Sequence, residues 1–345
     1  GPSKNVNSEL RWEKGHNQNI GLDFSLFKHK VTGSFNYFHR KQSDLLGSYS
    51  VSVPPNLFST IYANVGTLRN TGFELDITVN AVRTKDFTYS FTLVGATNNN
   101  KFVSFSNDVY KGQKYYSTCN MANPNNPGYL QRIEEGERIG NYFTYRYAGV
   151  DKKGDWLIYD KKGNVIPVAQ GTEEDKAVTG NGLPKFTGSM THNFTYKNFD
   201  LSFMISFQTG ASLFDYPGYF LTYSDGVRLG SFNVSQEVAG NYWREPGDTV
   251  DHPKPIYNNP YRSDRFSSRT IKSTDNVRMR DITVGYRIPI SKKYISNLRV
   301  FFKTSNPFMI YCASDNIDPD VDINGYRQTD TPPTKSFMFG LNFEL

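Results

Sequence analysis

Apolar and polar residues alternate over Phe186–Gln208 with hardly a break. On the first arm Phe186, Gly188, Met190, His192, Phe194 and Tyr196 alternate with Thr187, Ser189, Thr191, Asn193 and Thr195. On the second, Leu201, Phe203, Ile205 and Phe207 alternate with Asp200, Ser202, Met204, Ser206 and Gln208. A period of two is the mark of a strand with one oily and one mostly polar face. Lys197-Asn198 makes a tight turn between the arms, flanked by Tyr196 and Phe199. Each arm has ten or more residues. Globular strands usually run to about five or six, whereas a tilted strand crossing a membrane needs about 9–11.

The same pattern recurs along the chain. Ile20, Leu22, Phe24 and Leu26 lead through Lys28-His29-Lys30 to Val31, Gly33, Phe35 and Tyr37. From Gln42 to Thr71 the pattern lapses around Pro54-Pro55. Phe73, Leu75, Ile77 and Val79 resume it, and Arg83-Thr84-Lys85-Asp86 turns into Phe87, Tyr89, Phe91 and Leu93. Ile282, Val284, Tyr286 and Ile288 form a further strand, and Leu298, Val300 and Phe302 another. Phe308–Pro333 reads as loop, and Phe337, Phe339, Leu341, Phe343 and Leu345 end the chain. Ile139–Val150 and Asp155–Tyr159 read either as two more strands or as one hairpin outside the membrane.

Connections alternate short and long, the arrangement of an outer-membrane barrel with short periplasmic turns and long extracellular loops. Phe27, Phe87, Tyr196, Phe199 and Tyr286 stand beside short turns, where aromatic girdles form, and Lys28, Lys30, Arg83, Lys85, Lys197, Arg287, Lys292 and Lys293 stand where long cations snorkel. The fold class expected is all-β: a transmembrane antiparallel β-barrel, present in part. On this reading Leu201, Phe203, Ile205 and Phe207 meet lipid and Ser202, Ser206 and Gln208 face the lumen. The last strand pairs with Leu298–Thr304, and its other edge needs a strand from elsewhere. The rival reading of the stripes is a soluble, secreted β-rich module that binds glycans, against which strand and loop length argue.

Composition changes little in this picture. Aromatic residues make up 15% of the 345 residues and favour strands. No apolar run reaches the length of a transmembrane helix, which leaves a barrel open. The net charge of +6 is scattered, with no basic stripe pointing to nucleic acid. Cys119 and Cys312 could form a disulfide or remain two thiols. No signal peptide opens the chain, so a mature or partial barrel is expected. Gly1-Pro2-Ser3 fits either a tag scar or native loop.

No constellation of catalytic residues emerges, and neither a metal nor a cofactor is expected. His16, His29, His39, His192 and His252 lack metal spacing to one another or to cysteine. His192 falls on the outward face, where an interfacial or packed imidazole is expected in place of a ligand. Gly180-Asn181-Gly182-Leu183-Pro184 lacks the third glycine of a dinucleotide loop and reads as a loop ending at a strand. Asp151-Lys152-Lys153-Gly154-Asp155 misses the order of a Ca²⁺ loop and reads as a turn. The binding candidates lie in the long loop Thr209–Asp275. They are Tyr216, Tyr219, Tyr223, Trp243, Tyr257 and Tyr261, whose faces can stack on sugars or apolar side chains. With them come Arg244, Arg262, Arg265 and Arg269, which can donate to carboxylates or hydroxyls. The competing reading of each aromatic is packing within the loop itself.

Several passages, taken in order, carry a resemblance. Leu10-Arg11-Trp12-Glu13 precedes Asn19-Ile20-Gly21-Leu22-Asp23, and Ala63-Asn64-Val65-Gly66 precedes Asn70-Thr71-Gly72-Phe73-Glu74-Leu75. Gly180–Phe186, the turn Tyr196–Leu201, Val277–Tyr286 and Ser305-Asn306-Pro307-Phe308 follow. Together they resemble SusC/RagA-type TonB-dependent outer-membrane transporters, in the C-terminal portion of a barrel of about 22 strands. Tyr242–Asp248 also resembles a passage of that family. The resemblance implies that residues 1–345 are barrel, with the plug domain and the N-terminal strands outside this chain. It implies residence in the outer membrane of a Gram-negative bacterium, among lipid and lipopolysaccharide, and active import of oligosaccharides or oligopeptides. The partners implied are a SusD-like surface lipoprotein, the TonB complex acting through the plug, and the remainder of the same barrel.

Overall fold

The computed structural model describes residues 3–105, 109, 113–121, 128–221, 235–255, 266–290, 297–320 and 332–344. Nine strands follow one another as an antiparallel meander. They are β1 (Lys14–Leu26), β2 (Val31–Ser50), β3 (Thr60–Arg83), β4 (Phe87–Thr97), β5 (Phe186–Tyr196), β6 (Phe199–Thr209), β7 (Asn276–Arg287), β8 (Asn297–Cys312) and β9 (Ser336–Glu344). The short strand Asn99–Ser104 adds to β3 away from this path.

The register carries the alternation across the whole sheet. Val79, Phe91, His192, Phe203, Ile282 and Thr304 lie side by side on one row. The next row towards the loops holds Thr78, Thr92, Thr191, Met204, Asp281 and Ser305. A slip of one residue would exchange the two faces, so the oily rows fix the register. On the outer face aromatic rings meet across strands: Tyr89 and Phe194 at 4.4 Å, His192 and Phe203 at 4.8 Å, Phe199 and Tyr286 at 4.5 Å. His192 is a packed imidazole there, its Nδ1 2.9 Å from the Tyr89 hydroxyl. On the inner face hydroxyls pair instead, Thr78 with Thr92 at 2.9 Å.

Among the described residues the two outermost strands have one neighbour each. Along β6, between two neighbours, Leu201, Phe203, Ile205 and Phe207 are half-buried, whereas Phe339 on β9 is 82% exposed and Ile20 on β1 72%. β9 pairs with Asn297–Ser305 of β8, as the sequence predicts.

Short turns close one end of the sheet. Phe27, Lys28 and His29 sit in the left-handed region between β1 and β2, with the Ser25 hydroxyl 2.7 Å from His29 Nδ1. Thr84 caps the β3–β4 turn through Phe87, and Lys197 turns β5 into β6.

At the other end several strands run further than the alternation indicates. β2 has 20 residues and β3 has 24, so the stretch from Gln42 to Thr71 is largely paired strand. Beyond the span that the alternation assigns to a membrane no lipid face has to be served, and the pattern relaxes. A bulge between Gln42 and Leu45 breaks the phase, and Tyr49, Ile61, Ala63 and Val65 form a small core of their own. β7 begins at Asn276 and β8 continues to Cys312, so part of Phe308–Pro333 is strand. Bulges around Arg280 and between Ser305 and Phe308 hide both extensions from a period-two reading.

The segment 139–159 forms a hairpin outside the barrel sheet. Asn141–Val150 and Trp156–Tyr159 belong to a second sheet with Tyr115–Met121, Gly128–Glu134, Val165–Pro167 and Lys176–Asn181. This sheet stands on the long-loop side, since it is built entirely from the connection between β4 and β5. Cys119 and Cys312 are not joined in a disulfide.

Candidate functional site

The loop side is built around two aromatic clusters. Ser212–Phe214 pairs with Ile271–Ser273, bringing the two ends of the β6–β7 connection together. A one-and-a-half-turn helix, Tyr216–Leu221, follows, anchored where the Asp215 carboxylate accepts the Gly218 N–H at 2.9 Å. Tyr216 and Tyr219 lie three residues apart on it and so share a face. Both are buried with Leu130, Tyr142, Phe214 and Phe266. Phe214 meets Phe266 edge-on at 5.3 Å, and Tyr219 meets Phe266 at 5.6 Å. The rings of Tyr216 and Tyr219 are therefore spent on the interior of the loop region.

The second cluster holds Tyr145, Trp156, Ile158 and Val168. Arg269 crosses its edge, 5.4 Å from the Trp156 ring, with Nη2 at 2.7 and 2.9 Å from the two ring nitrogens of fully buried His252. Desolvation draws the Arg269 guanidinium below its ordinary pKa, and burial pushes the Tyr147 hydroxyl above its own. The Tyr147 hydroxyl donates to the Asp251 carbonyl at 3.0 Å. Together these groups bind segment 235–255 to the hairpin at 141–159, and Arg269 is taken up by that contact.

Trp243 lies over the turn Asp151–Asp155. Gly154 has φ +80°, and a Cβ there would stand 2.6 Å from the indole. Lys254 reaches across the ring to the Lys153 carbonyl at 2.9 Å and the Asp155 carboxylate at 3.1 Å. The turn uses its first carboxylate on its own backbone: Asp151 Oδ1 accepts from the N–H groups of Lys153 and Asp155, each at 2.8 Å. Asp160–Asn164 repeats that geometry, Asp160 accepting from Lys162 and Asn164. The Asn164 side chain, followed by those backbone N–H groups, holds the Asp160 carboxyl below the usual range.

Arg244 is exposed, with Nη2 3.2 Å from the Gly240 carbonyl and Cζ 5.4 Å from the Tyr242 ring. The N–H groups of Arg244 and Glu245 hold the Asp248 carboxyl below its ordinary value, which fixes the local turn. Tyr223, Tyr257, Tyr261, Arg262 and Arg265 lie outside the described residues. The structure thus brings Tyr216 and Tyr219 together in one core, seats Trp243 on a turn, and leaves the Arg244 guanidinium outside.

Two features carry no periodic signal and escape sequence reasoning. Asn181, in the Gly180–Pro184 passage, donates to the Ile139 carbonyl at 2.9 Å and to Asn141 Oδ1 at 2.7 Å, and accepts from Leu183 N–H at 2.8 Å. It fastens the loop-side sheet to the passage that leads into β5. Separately, the β2–β3 extension borders an apolar cavity of about 410 Å³ lined by Tyr49, Tyr62, Phe102, Phe105 and Tyr116 among others.

Comparison with known proteins agrees with this geometry. Residues 1–306 match the family model described as TonB dependent receptor-like, beta-barrel. TonB-dependent receptor P3 of Formosa agariphila is 26% identical over 99% of this chain and 35% of its own length. TonB-dependent receptor SusC of Bacteroides thetaiotaomicron is 27% identical over 99% of this chain and 33% of its own. The chain spans about a third of the length of the curated relatives it matches. The RagAB peptide transporter superposes with a TM-score of 0.82 at 21% identity, over 99% of this chain and 36% of that one. The resemblance read from the motifs is thus met twice, by SusC in sequence and by RagAB in fold. On the family match the chain belongs to the TonB-dependent-receptor-like β-barrels, proteins of the Gram-negative outer membrane.

Proposed function

We propose that this chain forms the C-terminal part of the wall and the extracellular loops of a TonB-dependent importer for oligosaccharides or oligopeptides. One observation carries the reading: among the described residues, a nine-stranded meander with a continuous apolar outer face, a polar inner face and an unpaired edge on both β1 and β9. Unpaired backbone inside a bilayer costs several kcal/mol per group, so the remaining strands of the same barrel join at those edges. The plug and its contact with the TonB complex belong to that remainder. Resemblance to SusC and RagAB supports a SusD-like surface lipoprotein as the partner above the loops.

The recognition surface is proposed on the long-loop side, in Tyr216, Tyr219, Trp243, Arg244, Tyr257 and Tyr261. Tyr216, Tyr219 and Trp243 act by holding its shape, and Arg244 presents a charge outward. A protein of this kind moves solutes and is not an enzyme. The test is growth on the cognate oligomer together with co-purification of the lipoprotein, in a strain whose full-length receptor lacks residues 235–255. Barrel insertion should persist while uptake or docking falls sharply. Normal growth with normal docking would move recognition into the lumen or onto the plug.

A further inference from the structure

β7 carries two arginines on the lumen side, and the chain itself fills them. Ser206, an inward residue of β6, pairs with Arg278. Between the pairs Ile205–Met279 and Met204–Asp281 the register slips by one, and Arg280 is the extra residue. A bulge of this kind re-aims a side chain. Arg280 Nε donates to Ser206 Oγ at 2.6 Å, which turns it inward as well. Two guanidiniums therefore stand together, while Met279 faces out opposite Ile205 and Phe308.

Beyond β8 the chain folds back over them. Ala313 N–H donates to the Asp275 carbonyl at 2.9 Å, and the Ser314 hydroxyl to the Ser273 carbonyl at 2.9 Å. Asp318 then takes Arg278 at 2.7 Å. Asp320 takes Arg280 through both oxygens, at 2.7 and 3.1 Å, and lies 3.6 Å from Arg278. The Arg278 side chain is 6% exposed, and its Nε has no hydrogen-bond partner among the described residues. The two aspartates and Arg280 are 17–29% exposed.

We propose that Arg278 and Arg280 form a seat for a dicarboxylate on the lumen wall, occupied here by the chain's own Asp318 and Asp320. A solute with two carboxylates one residue apart, an Asp-Xaa-Asp peptide for example, takes their place. Leaving buried guanidiniums unpaired is strongly unfavourable, so the seat needs an anion at all times. Exchanging this pair of carboxylates, one bidentate on Arg280 and one on Arg278, for another such pair leaves the hydrogen bonds of the arginines unchanged. What favours the internal occupant is its tether, equivalent to a local concentration on the order of millimolar. The inference takes from the proposed importer only the direction of the lumen, and its test involves no transport.

The experiment uses the full-length receptor in detergent and the peptide acetyl-Asp-Pro-Asp-amide, with the Asn-Pro-Asn peptide as control. Calorimetry should show the acidic peptide binding D318N/D320N at least about tenfold tighter than wild type, since the tethered competitor is gone. Binding should vanish when R278Q/R280Q is added, and the control peptide should be silent. A second arm needs no variant: saturating acidic peptide on the wild-type receptor should speed amide exchange in segment 313–320. Equal affinity for wild type and D318N/D320N, binding that survives loss of both arginines, or unchanged exchange would each reduce the pairing to an internal tie and overturn the proposal.

Discussion

The barrel sheet and the loop-side region are both β structure, yet they hold together by opposite means. In the barrel sheet each strand pairs with the next one of the sheet, and its oily residues lie on an open face, where Phe203 and Phe339 meet rings of adjacent strands. On the loop side Tyr142, Phe214, Phe266, Leu130 and Ile158 are 0–1% exposed and come from widely separated segments. One region is stabilised by ladders of hydrogen bonds in a surrounding solvent of lipid, the other by an ordinary close-packed core. Periodicity therefore measures which solvent a face meets, and it falls silent where side chains pack inward from irregular segments.

That contrast is open to attack, most sharply in the core. Phe214→Ala should cost about 3–5 kcal/mol, the range for a fully buried ring. Limited proteolysis should then cut the loop side while the barrel stays inserted and heat-modifiable; loss of insertion would show that the two regions fold as one. In the barrel, Phe203→Arg should cost about 2–4 kcal/mol of insertion stability and Ser202→Arg far less, read by urea unfolding in lipid. Equal losses would mean that the faces are assigned backwards. Gly154→Ala should destabilise the loop side by about 1–2 kcal/mol, from a left-handed φ alone. The crowded indole adds to this, and Trp243 fluorescence should report the displacement.

The smallest effect expected is on acidity. Asp160 and Asp175 have carboxyls held below their ordinary range, by the Asn164 side chain and by the Thr172 N–H respectively as the largest contributions. Because the folded values are depressed, the stabilisation is present above the unfolded pKa of about 4. It is lost as the pH falls through the lower folded values. Acid should loosen the hairpin Trp156–Pro167, as seen by amide exchange at stepped pH. An Asp160→Asn protein with an unaltered acid profile would exclude this carboxyl.

Much of the barrel was legible in the sequence, because lipid imposes a rule on every second residue. The nine strands, their order and their faces can be read from Ile20 to Phe343. The rule fails at Arg280 and at Asn306-Pro307, where bulges shift its phase, and along Gln42–Thr71, where the strands leave the membrane. The loop aromatics were legible as a group, but their roles were not. Nothing in the spacing of Tyr216, Phe214 and Phe266 shows that they meet one another and leave no face for a ligand. Likewise Trp243 lies on Gly154, some ninety residues away in sequence.

The loop-side sheet leaves the barrel and returns to it through one doorway. Thr97 and Phe186 are paired across β4 and β5, and just beyond them the Asn98 N–H donates to the Lys185 carbonyl at 3.0 Å. Between these ends the connection also pairs with β3 through Asn99–Ser104 and packs on the β6–β7 connection at Tyr142 and Tyr145. Because the two ends stay side by side, this connection can change in length without separating β4 from β5, so long as its contacts with β3 and the β6–β7 connection are kept. A lineage of such β-barrels can in this way vary its surface at one connection while the membrane wall is inherited unaltered.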